Sequence, residues 1–222
     1  MNDLFISYSR VHKAIANQVN VALNNEGKDI WIDLENIPPS AEWLEEIYAG
    51  IEGANNFAFF ISAASIQSEV CLLELSHAVK NNKRLIPIIL EDVEHDQVPE
   101  SLKVLNWINF QEKSDFDKNI QVLVTAIDTD LEWVKMHTRI LQRATEWQKK
   151  NQNTSFTLRG IELENGIDWL SDCNESDRAP TQLQKEYLEA SRLDAQKRKR
   201  RTIIGVSAAL VAIIVIAIVA LL

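Results

Sequence analysis

Phe57-Ala58-Phe59-Phe60-Ile61-Ser62 is the stretch that decides the fold. Its apolar residues follow one another without polar alternation, so both faces of the segment need cover, as in a central strand of a parallel sheet. Similar runs lie on either side of it. Leu4-Phe5-Ile6-Ser7-Tyr8 reads as a first strand and Asp29-Ile30-Trp31-Ile32-Asp33 as a second. Leu85-Ile86-Pro87-Ile88-Ile89-Leu90 reads as a fourth, and Trp107-Ile108-Asn109-Phe110 as a short fifth. Helical periods separate them. Val11 to Asn25 carries Ile15, Val19, Ala22 and Leu23 at helical spacing before Gly27, and Ala41 to Gly53 sets Trp43, Ile47 and Ile51 on one face. Ser68 to Asn82 and Phe116 to about Asp128 continue the alternation, while Pro38-Pro39-Ser40 forms a loop that cannot be helical. Strands and helices in alternation, joined by right-handed crossovers, give an open, doubly wound α/β fold. Such sheets bind ligands beyond the carboxyl ends of their strands, which points to the loops after residues 8, 33, 62 and 90.

Strand periodicity ends near residue 128. Leu131 to Lys150 is helical, Asn151-Gln152-Asn153-Thr154-Ser155 interrupts it, and further helices span Ile161 to Leu170 and Thr181 to Gln196. Residues 129–196 therefore read as a helical stalk. Lys197-Arg198-Lys199-Arg200-Arg201 follows, and then an uncharged run from Ile203 to Leu222. Twenty helical residues rise about 30 Å, the thickness of a bilayer's hydrocarbon core. A basic flank on the amino side places residues 1–196 in the cytoplasm and sets the cluster against anionic headgroups. The expectation is a single-pass membrane protein, either tail-anchored or the front of a longer chain. No basic leader precedes the first strand.

The totals narrow the function. A net charge of −9 argues against general nucleic-acid binding. Cys71 and Cys173 are far apart and read as free thiols of a reducing compartment. His12, His77, His95 and His137 show no metal-ligand spacing, and no glycine-rich phosphate loop follows a strand. The informative helix is 68–82, where Cys71, Glu74, Leu75 and Ala78 share one stripe. Two readings of Glu74 follow: a buried carboxylate whose pKa is raised for chemistry, or an edge residue that reaches water. Glu69, in the first helical turn, suits the helix dipole. Arg10 reads either as an anion-binding group at the end of the first strand or as a solvated arginine. Trp43 at its helical spacing reads as core.

These residues together resemble the TIR-domain family. The likeness rests on Leu4-Phe5-Ile6-Ser7-Tyr8-Ser9, Trp31-Ile32-Asp33, the loop from Leu34 to Trp43, Ser68 to Leu75, and Leu85-Ile86-Pro87-Ile88, all in the family's order over roughly residues 1–128. The resemblance implies a flavodoxin-like sheet of five parallel strands. It also implies a glutamate that cleaves the nicotinamide–ribose bond of NAD, a role that falls on Glu74 in its Cys-x-x-Glu setting. The substrate-contacting positions it implies are Tyr8, Ser9, Arg10, Ser40, Trp43 and Cys71, with NAD as substrate and neither cofactor nor metal. Ser40 stands where the family's mobile loop usually carries glycine. Domain 1–128, stalk 129–196 and membrane segment 197–222 then describe a membrane-held, NAD-cleaving effector of signalling or antiviral defence, activated by self-association and joined to a possible sensor region or partner protein. The alternative is a non-catalytic adaptor that recruits other TIR domains. A response-regulator-like switch would need an acidic cluster where Tyr8-Ser9-Arg10 stands.

Overall fold

The structure is a computed structural model describing residues 1–33, 41–172 and 179–220. It divides into two compact units, Met1–Gln142 with Ser176–Thr181, and Arg143–Glu175 with Gln182–Leu222.

The first unit holds β1 (Asn2–Ser7), α1 (Lys13–Asn25), β2 (Ile30–Trp31), α2 (Ala41–Gly53), β3 (Ala54–Ile61), a single turn α3 (Ala63–Ile66) and α4 (Glu69–Lys80). It continues with β4 (Arg84–Ile89), a second single turn α5 (Glu100–Lys103), β5 (Ile108–Asn109) and α6 (Phe116–Asp128). The five strands are all parallel in the order β2-β1-β3-β4-β5, the flavodoxin-like winding. Every residue of β3 is buried, as its unbroken apolar run requires. The strand begins earlier than the apolar run, at Ala54, and the fold takes up the side-chain N–H groups of the buried Asn56. Its side-chain amide donates to Asp3 O at 2.9 Å and to Ile127 O at 3.4 Å.

Each face of the sheet has its own core. Leu4, Ile6, Ala58, Phe60, Ile86 and Ile88 pack against α1 and α6 through Val19, Leu23, Ile120 and Leu123. On the other face Phe5, Phe57, Phe59 and Ile61 meet Trp43, Ile47 and Ile51 of α2 and Cys71, Leu75 and Ala78 of α4. Alternate residues of each strand serve opposite faces. Phe5 is the hinge of the second core, stacked on Trp31 at 4.4 Å and on Phe57 at 5.5 Å between ring centroids. The Trp31 ring lies so close to α2 that a Cβ on Gly50 would stand 2.7 Å from it.

The amino ends of the strands are closed by a buried lysine. Lys83 Nζ donates to Glu52 O at 2.7 Å, Ala54 O at 2.8 Å and Thr138 Oγ1 at 3.3 Å. Thr138 belongs to α7 (Leu131–Lys149). Burial lowers the Lys83 pKa to about 7, with the nearby Glu52 opposing the fall. An ammonium has three protons to donate, and this cage offers three acceptors, so the charged form fits it best.

The second unit contains the end of α7, α8 (Ile161–Asp172) and α9 (Gln182–Ala220), so the carboxyl-terminal region is helical. Its core gathers Trp147, Trp169, Tyr187 and Leu188. Tyr187 Oη donates to Phe156 O at 2.8 Å, and Ser191 Oγ accepts from Leu158 N at 3.1 Å. The basic cluster 197–201 lies within α9, which runs on without a break to Ala220. Among the described residues, no helix is long and apolar enough to cross a membrane. The expected span, 203–222, lies partly outside them, at the side chains of 212 and 214–220 and at residues 221–222.

Candidate functional site

A cavity of about 340 Å³ opens at the carboxyl ends of β1 and β2. Ile6, Tyr8, Ser9, Arg10, Trp31, Asp33, Trp43, Ser68, Cys71 and Glu74 line it. The topology explains the convergence. β1 and β2 are neighbours, so the turns leaving them meet, and α2 and α4 pack on the same face of the sheet. A single cavity thus gathers Tyr8, Ser9, Arg10, Trp43, Cys71 and Glu74. Ser40 lies outside the described residues.

Glu74 forms part of the inner wall. Helix α4 starts at Ser68, whose Oγ accepts from Cys71 N at 3.3 Å. The start sets the phase of the helix. Cys71, Glu74, Leu75 and Ala78 point inward, while Leu72 and Leu73 are exposed. Glu74 is only 7% exposed, so of its two sequence readings the buried one describes the side chain. Burial raises its pKa from the ordinary 4.5 to about 7, and the Asp33 carboxylate pushes in the same direction. The Ser7 hydroxyl is near enough to oppose that rise in part, yet it completes no hydrogen bond of normal geometry. Glu69 is exposed at the start of the helix.

The other walls are aromatic and polar. Tyr8 Oη donates to Asp33 O at 2.6 Å. Burial is the main cause that raises the Tyr8 pKa, so the phenol keeps its proton. Trp43 is 8% exposed and belongs to the core on one side while facing the cavity on the other. Its Nε1 donates to Asp33 Oδ2 at 3.4 Å. Cys71 is a buried thiol with its pKa pushed to about 11, chiefly by burial, so it is not a thiolate nucleophile at neutral pH. Arg10 is exposed at the rim. The cavity therefore offers a desolvated carboxyl group, a second carboxylate, two indoles, a phenol and a guanidinium. Such a set suits a ligand with a cationic or cation-forming centre and an anionic tail. Asp33, Trp31 and Ser68 escaped the sequence reading as site residues. Asp33 carried the only available signal, a carboxylate at the end of a strand.

The sequence profile described as TIR domain matches residues 4–124. A search of curated proteins found no match. Among solved structures, the chain is similar to the TIR domain of the Toll-related receptor TRR-2 from Hydra magnipapillata, with 20% identity and a TM-score of 0.47, covering 57% of this chain and 98% of that one. It is also similar to a TIR-STING receptor from C. gigas in complex with 2′,3′-cGAMP, with 25% identity and a TM-score of 0.46, covering 57% of this chain and 39% of that one. A third likeness is to the TIR domains of the activated Roq1 resistosome, with 16% identity and a TM-score of 0.48, covering 57% of this chain and 99% of that one.

Proposed function

The chain belongs to the TIR-domain family, and from that premise we propose that it hydrolyses NAD to nicotinamide and ADP-ribose, with Glu74 as the catalytic carboxylate. The observation that carries this reading is the desolvated Glu74 carboxyl facing a cavity with aromatic walls and Arg10 at its rim. In the reaction the bond between ribose C1′ and the pyridinium nitrogen breaks. Its electron pair leaves with nicotinamide, which departs neutral and needs no general acid. Positive charge develops on the ribose, as in glycoside hydrolysis, and the ionised Glu74 stabilises or briefly traps it. Water then adds at C1′ and releases a proton; attack by a group of ADP-ribose itself would give a cyclic product instead. Tyr8, Ser9 and Arg10 would hold the ribose and phosphates, while Trp43 and Cys71 wall the heterocycle.

The same proposal covers the context. The basic cluster 197–201 and the uncharged run 203–222 support a single membrane-spanning helix, with the catalytic domain on the cytoplasmic side and residues 129–196 as a stalk. Lipid then concentrates neighbouring copies, and self-association of TIR domains activates them. The test is nicotinamide release from NAD by the full chain, dispersed in detergent and packed into vesicles. Release that rises with packing and is abolished by Glu74→Gln is the expected outcome. No release from the packed wild-type chain would replace the enzyme with an adaptor.

A further inference from the structure

We propose that Asp33 is the positioning residue of this cavity, tying the Tyr8 phenol and the Trp43 indole into its walls and standing as a second negative charge beside Glu74. The proposal rests on the reading of Glu74 as the catalytic carboxylate and adds a residue to that site. Asp33 follows β2 after one intervening residue, and it uses two separate groups on two separate elements. Its backbone carbonyl accepts the Tyr8 hydroxyl at 2.6 Å, which fixes the residue that leaves β1. Its carboxylate accepts the Trp43 indole N–H at 3.4 Å, which fixes the first turn of α2. One residue therefore joins β1, β2 and α2, and it stands together with Trp43 on the two flanks of segment 34–40.

The arrangement has a chemical consequence. An indole held beside a carboxylate walls a delocalised cation, here the pyridinium ring of the substrate, while the Tyr8 phenol is held in place on the ribose side. Each ring is oriented through its polar atom. The charged and titratable groups around Glu74 are Arg10 and Tyr8 from the turn after β1, Asp33 after β2, and Cys71 on Glu74's own helix. Helix α2 contributes the Trp43 N–H. Arg10 sits at the exposed rim, so the half-buried Asp33 is the charge that bears on the Glu74 carboxyl from within the cavity. A like charge lining the same desolvated cavity makes ionisation harder.

Asp33→Asn and Asp33→Ala in the full chain separate the two roles. Asparagine keeps an oxygen that accepts from Trp43 but removes the charge; alanine removes both. With selectively ¹³C-labelled glutamate, the Glu74 carboxyl midpoint should move to lower pH in both variants, a response that a purely structural role would not produce. In nicotinamide release, Asp33→Ala should lose on the order of 10²-fold in kcat/KM with a raised KM, and Asp33→Asn should restore most of the KM. An unmoved Glu74 midpoint in folded Asp33→Asn overturns the proposal, as does an equal KM in the two variants. If the wild-type chain releases no nicotinamide, the catalytic reading falls, and the carboxyl titration alone still decides whether Asp33 acts on Glu74. If Asp33→Ala does not fold, the midpoint and KM of Asp33→Asn against wild type decide.

Discussion

Replacing Glu74 by glutamine should make the protein more stable while removing its activity. Glutamine is nearly isosteric, so the packing against Cys71 and Leu75 survives. The change is electrostatic. Glu74 has a folded pKa of about 7 against an ordinary 4.5, so the native state prefers the neutral form. For a group raised in this way, the stabilising contribution is complete below pH 4.5, declines as pH rises through 7, and is gone above it. The gap between the two values corresponds to about 3 kcal/mol. The stability difference between Glu74→Gln and wild type should therefore favour the variant by about 3 kcal/mol more at pH 8 than at pH 4. Chemical denaturation at both pH values measures it, and taking the difference between them cancels any constant packing effect. Nicotinamide release should fall on the order of 10²-fold or more, because the developing cation loses its counter-charge. A stability difference that does not change with pH would refute the desolvation argument. Unchanged turnover would refute the catalytic assignment.

The same raised pKa predicts that wild-type nicotinamide release climbs about tenfold per pH unit below 7 and levels above it; a flat profile from pH 5 to 8 would exclude Glu74 as the group that must ionise. Glu69→Gln, at the exposed start of α4, should change stability by less than about 1 kcal/mol and leave turnover intact, as paired urea and turnover measurements would show. Gly50→Ala should cost about 1–3 kcal/mol, visible in urea unfolding, because Trp31 is held by its stack on Phe5 and cannot step aside. Lys83→Ala takes the lysine's donor from Glu52 O, Ala54 O and Thr138 Oγ1 and leaves a buried gap, and should lower stability by roughly 2–4 kcal/mol, with turnover per folded molecule unchanged. Removing 203–222 should leave a chain that stays in the supernatant without detergent, and a full-length chain that also stays there would disprove the membrane span.

The sheet was legible because the apolar run of β3 needs cover on both faces, and the other strands were matched to it by short runs of Ile, Leu and aromatic residues set between helical periods. The single turns α3 and α5 were not, since four residues show no period. The start of β3 was missed because Asn55 and Asn56 look like a loop until Asp3 O and Ile127 O are seen to take up the Asn56 amide. Helical phase put Glu74 on a stripe with Cys71, Leu75 and Ala78 but left an edge position open; the family resemblance pointed to the same residue, and its burial in the fold decides for the inward face. Asp33 offered only its place at a strand end, because its partners Tyr8 and Trp43 are brought to it by the winding of the sheet rather than by spacing. Lys83 was hidden for the same reason. A lysine after two asparagines reads as a surface turn, and one of its acceptors, Thr138, lies 55 residues further along.

Both edges of the sheet are very short. β2 and β5 have two residues each, while the interior strands have six to eight. An edge this brief offers an incoming chain almost no ladder of unpaired N–H and C=O groups. Copies of the domain crowded together at high local density have little opportunity to extend one another's sheets into fibrous aggregates. Encounters between such copies are left to side-chain surfaces.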